Sequence, residues 1–450
     1  MDRFYFLLAS LVMMMGSSLT YAQAPQTLTL SVDDAVSRAQ AQNYQLQQVQ
    51  AGSDADRAEA RQTLATFLPR VSVGEDATST TDPLNAFGFQ LKQSTVTEAD
   101  FAPQVLNDPN RIENFTTRVE VRQPIFNAGG IYERRAATRQ ARASQLETDR
   151  TAEMVRFRVR SQYYGLVLAR ERRAVVNTAL EAARSNASRA EDLLDQGMIN
   201  QADLLEARVR VLELEADRTE AQAAVDDAVD QLRYLLGIDE QTIIEPSDSL
   251  PRPQNNGSDA VPSINASAVN ADRSDMQALR LKRDAAQQRV RAARAAFLPT
   301  LNAQGGYEWN DTVPFGTKGQ SWTVGISLRW NVFGGFEQVG GIQRARANQR
   351  ASELAVRDQA LQNEIEINAA LRALRTSRER VAQTGAMVEQ ARESFRLRSD
   401  RFEQGLESTT DLLNAEAQRA NSQLAALQAR YSYAMNRFRI ELLTEQTLQQ

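Results

Sequence analysis

An internal duplication is the feature that most limits what this chain can fold into. Three landmarks occur twice in the same order, an Ala-x-Phe-Leu-Pro run, a Phe-containing Gly-Gly run and a Gln-Gly pair followed by Asp-Leu-Leu, at residues 65–69 and 295–299, 125–130 and 332–335, and 196–205 and 404–413. The copies are 230 residues apart at the first landmark and 207 or 208 at the others, so the first copy carries a longer loop between its first two landmarks. Because duplicated sequences fold alike, the pattern predicts two halves of like architecture.

The duplication places the first half at residues 28–237 and the second at 269–445. The segment between them, 238–268, contains four prolines among Asn, Ser and Gly residues: Pro246, Pro251, Pro253 and Pro262. This composition is typical of a linker, so we expect a connection here rather than a core element.

Long stretches without proline predict that most of the chain is helical. No proline occurs at residues 125–245 or after Pro314, and both stretches are rich in Ala, Gln, Glu and Arg, which favour helix. The predicted helices are residues 31–66, 131–195, 200–236, 270–297, 342–403 and 408–445. Apolar side chains recur every seven residues in the fifth of them, which is typical of supercoiled helices: Ile367, Leu374, Val381, Val388, Phe395 and Phe402.

Four shorter segments change from a helical period to strict alternation, at about residues 70–80, 115–125, 300–310 and 321–333. Each segment has one apolar face and one polar or charged face, and all three tryptophans of the chain lie on apolar faces. Strands of about ten residues with this pattern are typical of outer-membrane β-barrels. Half-buried strands on a water-soluble core are the alternative.

The number of strands then constrains the assembly. A strand in a membrane cannot leave an open edge, and four strands are too few to close a barrel. If the strands cross a membrane, the barrel must therefore be shared between chains.

The composition excludes several classes of chemistry. The chain has no histidine and no cysteine, which excludes imidazole bases, thiolate nucleophiles, disulfides and Cys/His zinc sites. A paired-carboxylate hydrolase or a Ca²⁺ or Mg²⁺ site is not excluded by composition. The net charge of −5 gives no electrostatic argument for nucleic acid. Our prediction is a protein that is not an enzyme, with no cofactor and no metal.

The first residues have the pattern of a secretory signal peptide. Arg3 precedes an apolar stretch from Phe4 to Met15, which is too short to span a membrane. We expect a signal peptide at residues 1–22, with cleavage after Ala22, and an exported mature chain.

Taken in order, these motifs resemble the TolC family of outer-membrane efflux proteins. The resemblance covers about residues 28 to 445 and implies a mostly α fold with membrane β-strands. Each chain would be a tandem-repeat protomer of a homotrimer, giving long helices to a hollow α-barrel and four strands to a shared barrel of twelve. Residues Asp82 to Glu113 would be a long extracellular loop, and 238–268 would pack around the equator of the α-barrel.

The resemblance implies that the two Gln-Gly turns are the periplasmic tips, where an adaptor protein docks and the entrance closes. The tip residues would be Gln196, Gly197, Met198, Ile199, Asn200, Gln404, Gly405, Leu406 and Ser408. The residues alone also support a simpler interpretation. Glycine permits the left-handed turn that ends a helix, and Asn200 and Ser408 stand three residues before an acid, as in a capping box.

The resemblance also implies a ring of Asp411 carboxylates around the pore, where it would repel anions. Asn414 is neutral where a second acid can occur, which would weaken the ring. Glu407 stands where some members have a basic latch residue, so contact between Asp203 and Glu407 would be repulsive. Phe402 would either pack in the core, which we favour, or constrict the pore.

The strand residues divide into two sets under this resemblance. The polar faces would line a water-filled lumen through Arg118, Glu120, Arg122, Glu308 and Arg329. The aromatic residues at the membrane interface would be Tyr307, Trp309, Trp322 and Trp330.

The predicted function is a passive exit duct in the bacterial outer membrane that extends into the periplasm. An inner-membrane pump and a periplasmic adaptor would feed it in a tripartite efflux system, and type I protein secretion is the nearest alternative. A periplasmic coiled-coil structural protein would need neither the Trp-bearing strands nor the second copy. A carboxylate hydrolase would need a paired-acid cleft, which the pattern lacks. The sequence does not predict the substrate or the class of pump.

Overall fold

A computed structural model describes residues 27–239, 241–253 and 264–446. The predicted signal peptide, 1–22, and residues 240 and 254–263 of the predicted linker lie outside the described residues. The regular elements, in chain order, are β1 Thr27–Leu30, α1 Val32–Gln42, α2 Tyr44–Gln62, β2 Arg70–Thr80, α3 Pro83–Lys92, α4 Pro103–Asn107, β3 Ile112–Phe126, α5 Ala128–Asp195, α6 Gln201–Leu236, β4 Ile243–Pro246, α7 Ala266–Asp272, α8 Ser274–Ala295, β5 Thr300–Asp311, β6 Gly319–Arg329, α9 Glu337–Glu403 and α10 Thr409–Thr444.

The chain divides into two compact units. Of the described residues, the first unit contains those up to Ala41 and those within Val159–Leu250 and Ala386–Tyr431. The second contains those within Gln42–Arg158 and Pro251–Gly385 and those from Ser432 on. Within the described ranges, none of the helices combines the length and apolar character that a membrane-crossing helix requires.

The described part of the first unit is helical apart from one small sheet. Strands β1 and β4 pair in parallel, and Tyr163 of α5 holds them together. Its hydroxyl donates to the carbonyl of Leu30 at 2.8 Å and to Oδ2 of Asp248 at 2.9 Å. Since Tyr163 is fully buried, these hydrogen bonds satisfy a hydroxyl that would otherwise be costly to bury.

The second unit contains a four-stranded antiparallel sheet in the order β2-β3-β5-β6. Strands β2 and β3 come from the first half of the sequence, and β5 and β6 come from the second. The pairing of β3 with β5 joins the two halves. Among the described strands, β2 and β6 have a partner on one side only and form the edges.

The seven-residue pattern of α9 corresponds to buried positions. Ile367 and Leu374 pack with Val269, Tyr433 and Ile440 in a hydrophobic cluster of the second unit. The small residues between the apolar positions are buried as well: Ala370, Ser377, Thr384 and Ala391. Large and small side chains therefore alternate along a buried seam, as a coiled coil requires.

Two predicted helices were wrong because each is interrupted. The predicted helix 31–66 consists of α1 and α2 with a break at Asn43, whose side chain accepts from the backbone N–H of Leu46 and starts a new helix. A 3-10 turn then follows at Thr63–Thr66. The predicted helix 270–297 is likewise divided at Arg273, which has extended backbone between α7 and α8.

Two other boundaries also differ from the prediction. The strand predicted for 321–333 ends at Arg329, and Trp330 instead donates its indole N–H to the carbonyl of Phe297 at 3.0 Å. The segment 82–113, predicted as a loop, contains α3, a 3-10 turn at Glu98–Phe101 and α4, and β3 begins at Ile112. The helix α3 was detectable in principle, because Asp82 and Pro83 form a good N-terminus.

Candidate functional site at the paired helix turns

The two Gln-Gly turns have the same backbone structure. Gly197 and Gly405 have φ angles of 72° and 69°, which a residue with a side chain adopts at a cost of about 1–2 kcal/mol. In each turn the residue after glycine donates its N–H back to the helix, from Met198 to Leu193 at 2.9 Å and from Leu406 to Arg401 at 2.9 Å. Both are Schellman turns, so the duplication extends to the hydrogen bonds.

The helices that follow the turns are capped differently. Asn200 accepts from the N–H groups of Ala202 and Asp203, and Asp203 accepts from the N–H of Asn200 at 3.2 Å, which completes a capping box. In the second copy, Ser408 accepts from the N–H of Asp411 at 3.1 Å and donates its hydroxyl to that carboxylate at 2.7 Å. The predicted capping arrangement thus places both acids over helix N-termini.

The two turns lie against each other in one chain. A Cβ atom at Gly405 would lie 3.0 Å from the terminal carbon of Met198. Thr410 donates to Glu206 at 3.0 Å, and Arg189 pairs with Glu403 at 2.7 Å. The duplicated motifs therefore form one surface, which we call the tip.

Glu407 has basic partners that sequence reasoning missed. Its side chain is only 11% exposed and pairs with Arg398 at 2.7 Å and Arg401 at 2.9 Å, both on α9. Asp203 is not among the described ion-pair partners of Glu407. The sequence could have predicted these ion pairs, because a turn at Gly405 brings the residues that follow it back against the end of α9.

The residues predicted at the pore have different environments. Asp411 is about half exposed, and an oxygen of its carboxylate lies 3.5 Å from Arg398. Asn414 is exposed. Phe402 is buried, which agrees with core packing rather than with a constriction.

Most residues predicted to contact an adaptor are exposed on the tip: Gln196, Gly197, Met198, Asn200, Gln404, Gly405, Leu406 and Ser408. Met198 and Leu406 are 57% and 63% exposed, so each turn presents a large apolar side chain to solvent. Ile199 differs, because it packs against a cluster of Ala190, Leu204 and Ala207.

A buried acid lies further along α10. Glu416 is fully buried, and its Oε2 accepts from the side-chain amide of Asn186 at 2.9 Å. Burial raises the pKa of Glu416, while Arg210, Asn186 and Arg419 act in the opposite direction. In the described part of the chain no group of three or more acids is placed to hold a metal ion.

The strand register puts the predicted apolar residues on one face of the sheet. Val73, Val119, Tyr307 and Trp322 are cross-strand neighbours in a row that crosses all four strands. This face is exposed: Trp322, Val324, Ile326 and Leu328 are each 65–74% exposed. Tyr307 and Trp309 pack together on it, with ring centroids 4.6 Å apart.

The opposite face is polar and charged. Arg118 and Glu308 are cross-strand neighbours and form an ion pair at 3.2 Å. Glu308 also accepts from Lys92 at 2.9 Å and from Ser321 at 3.2 Å. Glu120, Arg122 and Arg329 are exposed.

Comparison with known proteins settles the family. The family model described as outer membrane efflux protein matches residues 35–238 and 265–444. The chain belongs to the outer membrane efflux protein family. The resemblance seen in the sequence motifs is confirmed by this match, and so is a place in the outer membrane. The family is one of efflux proteins rather than of enzymes.

Individual relatives are distant but cover most of the chain. The proteases secretion protein PrtF of Dickeya chrysanthemi is 22% identical over 358 residues, 77% of this chain and 76% of PrtF. The Campylobacter jejuni outer membrane channel CmeC is 17% identical, with a TM-score of 0.79 over 92% of this chain and 85% of CmeC. VceC, an outer membrane protein of Vibrio cholerae, is 18% identical, with a TM-score of 0.76 over 93% of this chain and 97% of VceC. These likenesses confirm the predicted mostly helical fold with a four-stranded sheet.

Proposed function

We propose that three copies of this chain form a passive exit duct through the outer membrane. The observation that carries the proposal is the four-stranded sheet, which has an exposed apolar face and two open edges. In water such a face and such edges promote aggregation. In a bilayer the apolar face is stabilised by lipid, and only the edges need partners.

The directions of the edge strands fit this assembly. The four strands alternate in direction, so β2 and β6 run antiparallel to each other. The β6 strand of one copy can therefore pair with the β2 strand of the next in the same antiparallel manner. Three copies give twelve strands, the number that the resemblance implies, and a barrel of this size leaves a central lumen lined by the polar faces.

The tip supports the assignment of the periplasmic entrance. Exposed apolar side chains at Met198 and Leu406, next to rigid turns, are suited to docking a partner protein, for which we propose the periplasmic adaptor. Asp411 of three copies would surround the entrance, and Arg398 would partly balance each carboxylate. An inner-membrane pump would supply the energy, and this chain would carry out no chemistry.

The tip assignment can be tested by substituting both turn glycines. Gly197→Val and Gly405→Val together place β-branched side chains at positive φ, which strains both turns. We expect export to be lost while the trimer still assembles, because the strands and the helical seam are unchanged. The measurement is accumulation of an exported dye in cells, with trimer yield in membranes measured in parallel.

Gly385→Val is the matched control, because Gly385 lies within α9, has no positive φ and has open space around its Cβ position. Full export by the double variant would contradict the role of the tip. A Gly385→Val variant that loses export while the double variant keeps it would also contradict the role of the tip.

Type I protein secretion is the second candidate, and the likeness to PrtF, which is named as a proteases secretion protein, favours it. The two candidates differ in the partners that the chain accepts. In a host that lacks its own ducts, the chain can be expressed either with an efflux pump and adaptor or with a protein-secretion pump and adaptor. We expect the first pair to restore dye export; restoration of protein secretion alone would favour the second candidate.

A further inference from the structure

The segment between β2 and β3 lies over the polar face of the sheet. Helix α3 contacts β3, β5 and β6. Lys92, the last residue of α3, reaches Glu308 on that polar face, with 2.9 Å between Nζ and Oε1. The apolar face, by contrast, has Trp322, Val324 and Ile326 more than 70% exposed.

A buried hydrogen-bond network anchors the end of this helix. Gln93 follows α3 and is 1% exposed, and its side-chain amide donates to the carbonyl of Glu113 and to Oδ1 of Asn114, each at 2.8 Å. Asn114 donates in turn to Oδ1 of Asn310 at 2.9 Å. Because an unsatisfied buried amide costs about 1–3 kcal/mol, this network holds the segment to the sheet more firmly than the Lys92 ion pair does.

A glycine in the sheet leaves room for the backbone at the end of α3. Gly319, at the start of β6, pairs with Asn310 and so belongs to the polar face. A Cβ atom at this position would lie 1.7 Å from the carbonyl oxygen of Lys92. Only glycine lets the backbone of the segment approach this closely.

The position along the sheet is also defined. Strand β2 starts at Arg70 after α2 and ends at Thr80, and β3 returns from Ile112 to Phe126 before α5. The segment therefore caps the end of the sheet that is opposite to the long helices. In the proposed function, this is the outer end of the duct.

The side chains of α3 divide into two faces. Ala86 and Gln93 are buried, and Gln93 contacts the sheet through its amide, whereas Leu84 and Leu91 are 82% and 53% exposed. Residues seven apart lie on the same side of a helix, and residues two apart lie about 200° apart. The two leucines therefore lie on the opposite side of the helix from Ala86 and Gln93, away from the sheet.

We propose that the segment 82–111 forms a hydrophobic constriction at the outer end of the duct, lined by Leu84 and Leu91 of each copy. The proposal rests on the proposed function, because it needs the polar face to enclose the lumen. Apolar constrictions hinder ions by excluding water from the narrow passage. Lys92, Gln93 and Gly319 are the positioning residues that hold the helix in place.

The test is single-channel conductance of the purified full chain in planar lipid bilayers. Leu84→Ser with Leu91→Ser makes the lining polar without touching the buried contacts, and we expect a gain in conductance. Lys92→Glu places like charges beside Glu308 and should also raise conductance, whereas Lys92→Arg should leave it unchanged.

Two controls make equivalent changes at the same end of the sheet. Lys318→Glu reverses a charge, and Val313→Ser removes an exposed apolar side chain on the β5–β6 turn. Both should conduct as the wild type does. A silent wild type with a conducting leucine variant supports the constriction. A conducting wild type that neither the leucine nor the Lys92→Glu substitution changes overturns the constriction alone, and silence of every protein overturns the proposed function with it.

Discussion

At the residue scale, Glu416 is the group whose environment is least ordinary. It lies on α10, about one and a half helical turns after Asp411, and is fully buried. Arg210 and Arg419 act on it electrostatically, and Arg419 also lies 4.1 Å above the ring of Phe395. Among the described residues, its Oε1 has no hydrogen-bond partner. A buried acid in this state makes stability depend on pH.

The direction of that dependence follows from the raised pKa. Because the pKa of Glu416 is higher in the folded than in the unfolded chain, the folded protein holds this proton more tightly. The resulting stabilisation is complete below the ordinary pKa of 4.5 and is lost as pH rises through the pKa of the folded protein. Glu416→Gln keeps the amide contact to Asn186 and removes the charge. We expect the variant to unfold at a higher temperature than the wild type at pH 8, with a smaller difference at pH 4, as measured by circular dichroism.

Glu220→Gln is the control, since Glu220 is exposed on α6. It should behave as the wild type does at both pH values. A Glu416→Gln variant that is less stable than the wild type at pH 8 would show that the pairs with arginine outweigh the cost of burial.

Sequence reasoning found the turn glycines and caps but not Glu416 or the basic partners of Glu407. The glycines and caps are local signals, with a few residues deciding the backbone. The partner of Glu416, Asn186, is 230 positions away, and nothing in the local pattern distinguishes Glu416 from an exposed helical acid. Burial of a polar side chain depends on tertiary packing, which a single sequence does not show.

At the scale of elements, the period of the sequence was the most reliable guide. The alternating segments became β2, β3, β5 and β6, and the seven-residue pattern became a buried seam. Three of the errors fell at Asn43, Arg273 and Arg329, where one residue ends or restarts an element. A break at one residue costs little free energy and leaves the average composition of the segment unchanged. Helix and strand propensities therefore do not reveal it.

The seam itself can be tested by shortening Ile367 in two steps. Ile367 is 2% exposed within its cluster, so Ile367→Val should lower the free energy of unfolding by about 0.5–1.5 kcal/mol and Ile367→Ala by about 2–5 kcal/mol. Denaturant titration of the purified protein measures both. Equal losses, or none, would contradict the assignment of Ile367 to a packed core.

At the scale of the whole molecule, the duplication accounts for the four-stranded sheet with open edges. The two copies supply two strands each and meet at β3 and β5, so one chain makes a single continuous sheet. The repeat could be read from sequence because its landmarks stay in order. The packing of segment 82–111 over the polar face of the sheet could not, since that segment has no counterpart in the second copy. The open edges are the feature that requires further copies.

Those edges give the most direct test of the central claim, that chains share one barrel. The chain has no native cysteine, so Val73→Cys in β2 can be combined with Val324→Cys, Ile326→Cys or Leu328→Cys in β6 to cover different registers. Within one chain these strands are three spacings apart, about 14 Å, and a disulfide requires Cα atoms within about 7 Å. Any bond that forms on oxidation must therefore join different chains.

The measurement is the ladder of covalent species after oxidation in isolated outer membranes, with each single-cysteine variant as the control. We predict that at least one pair gives a ladder that ends at the trimer, while the single variants stay monomeric. A ladder that ends at the dimer or continues past the trimer, or no cross-link from any pair, would contradict the shared barrel.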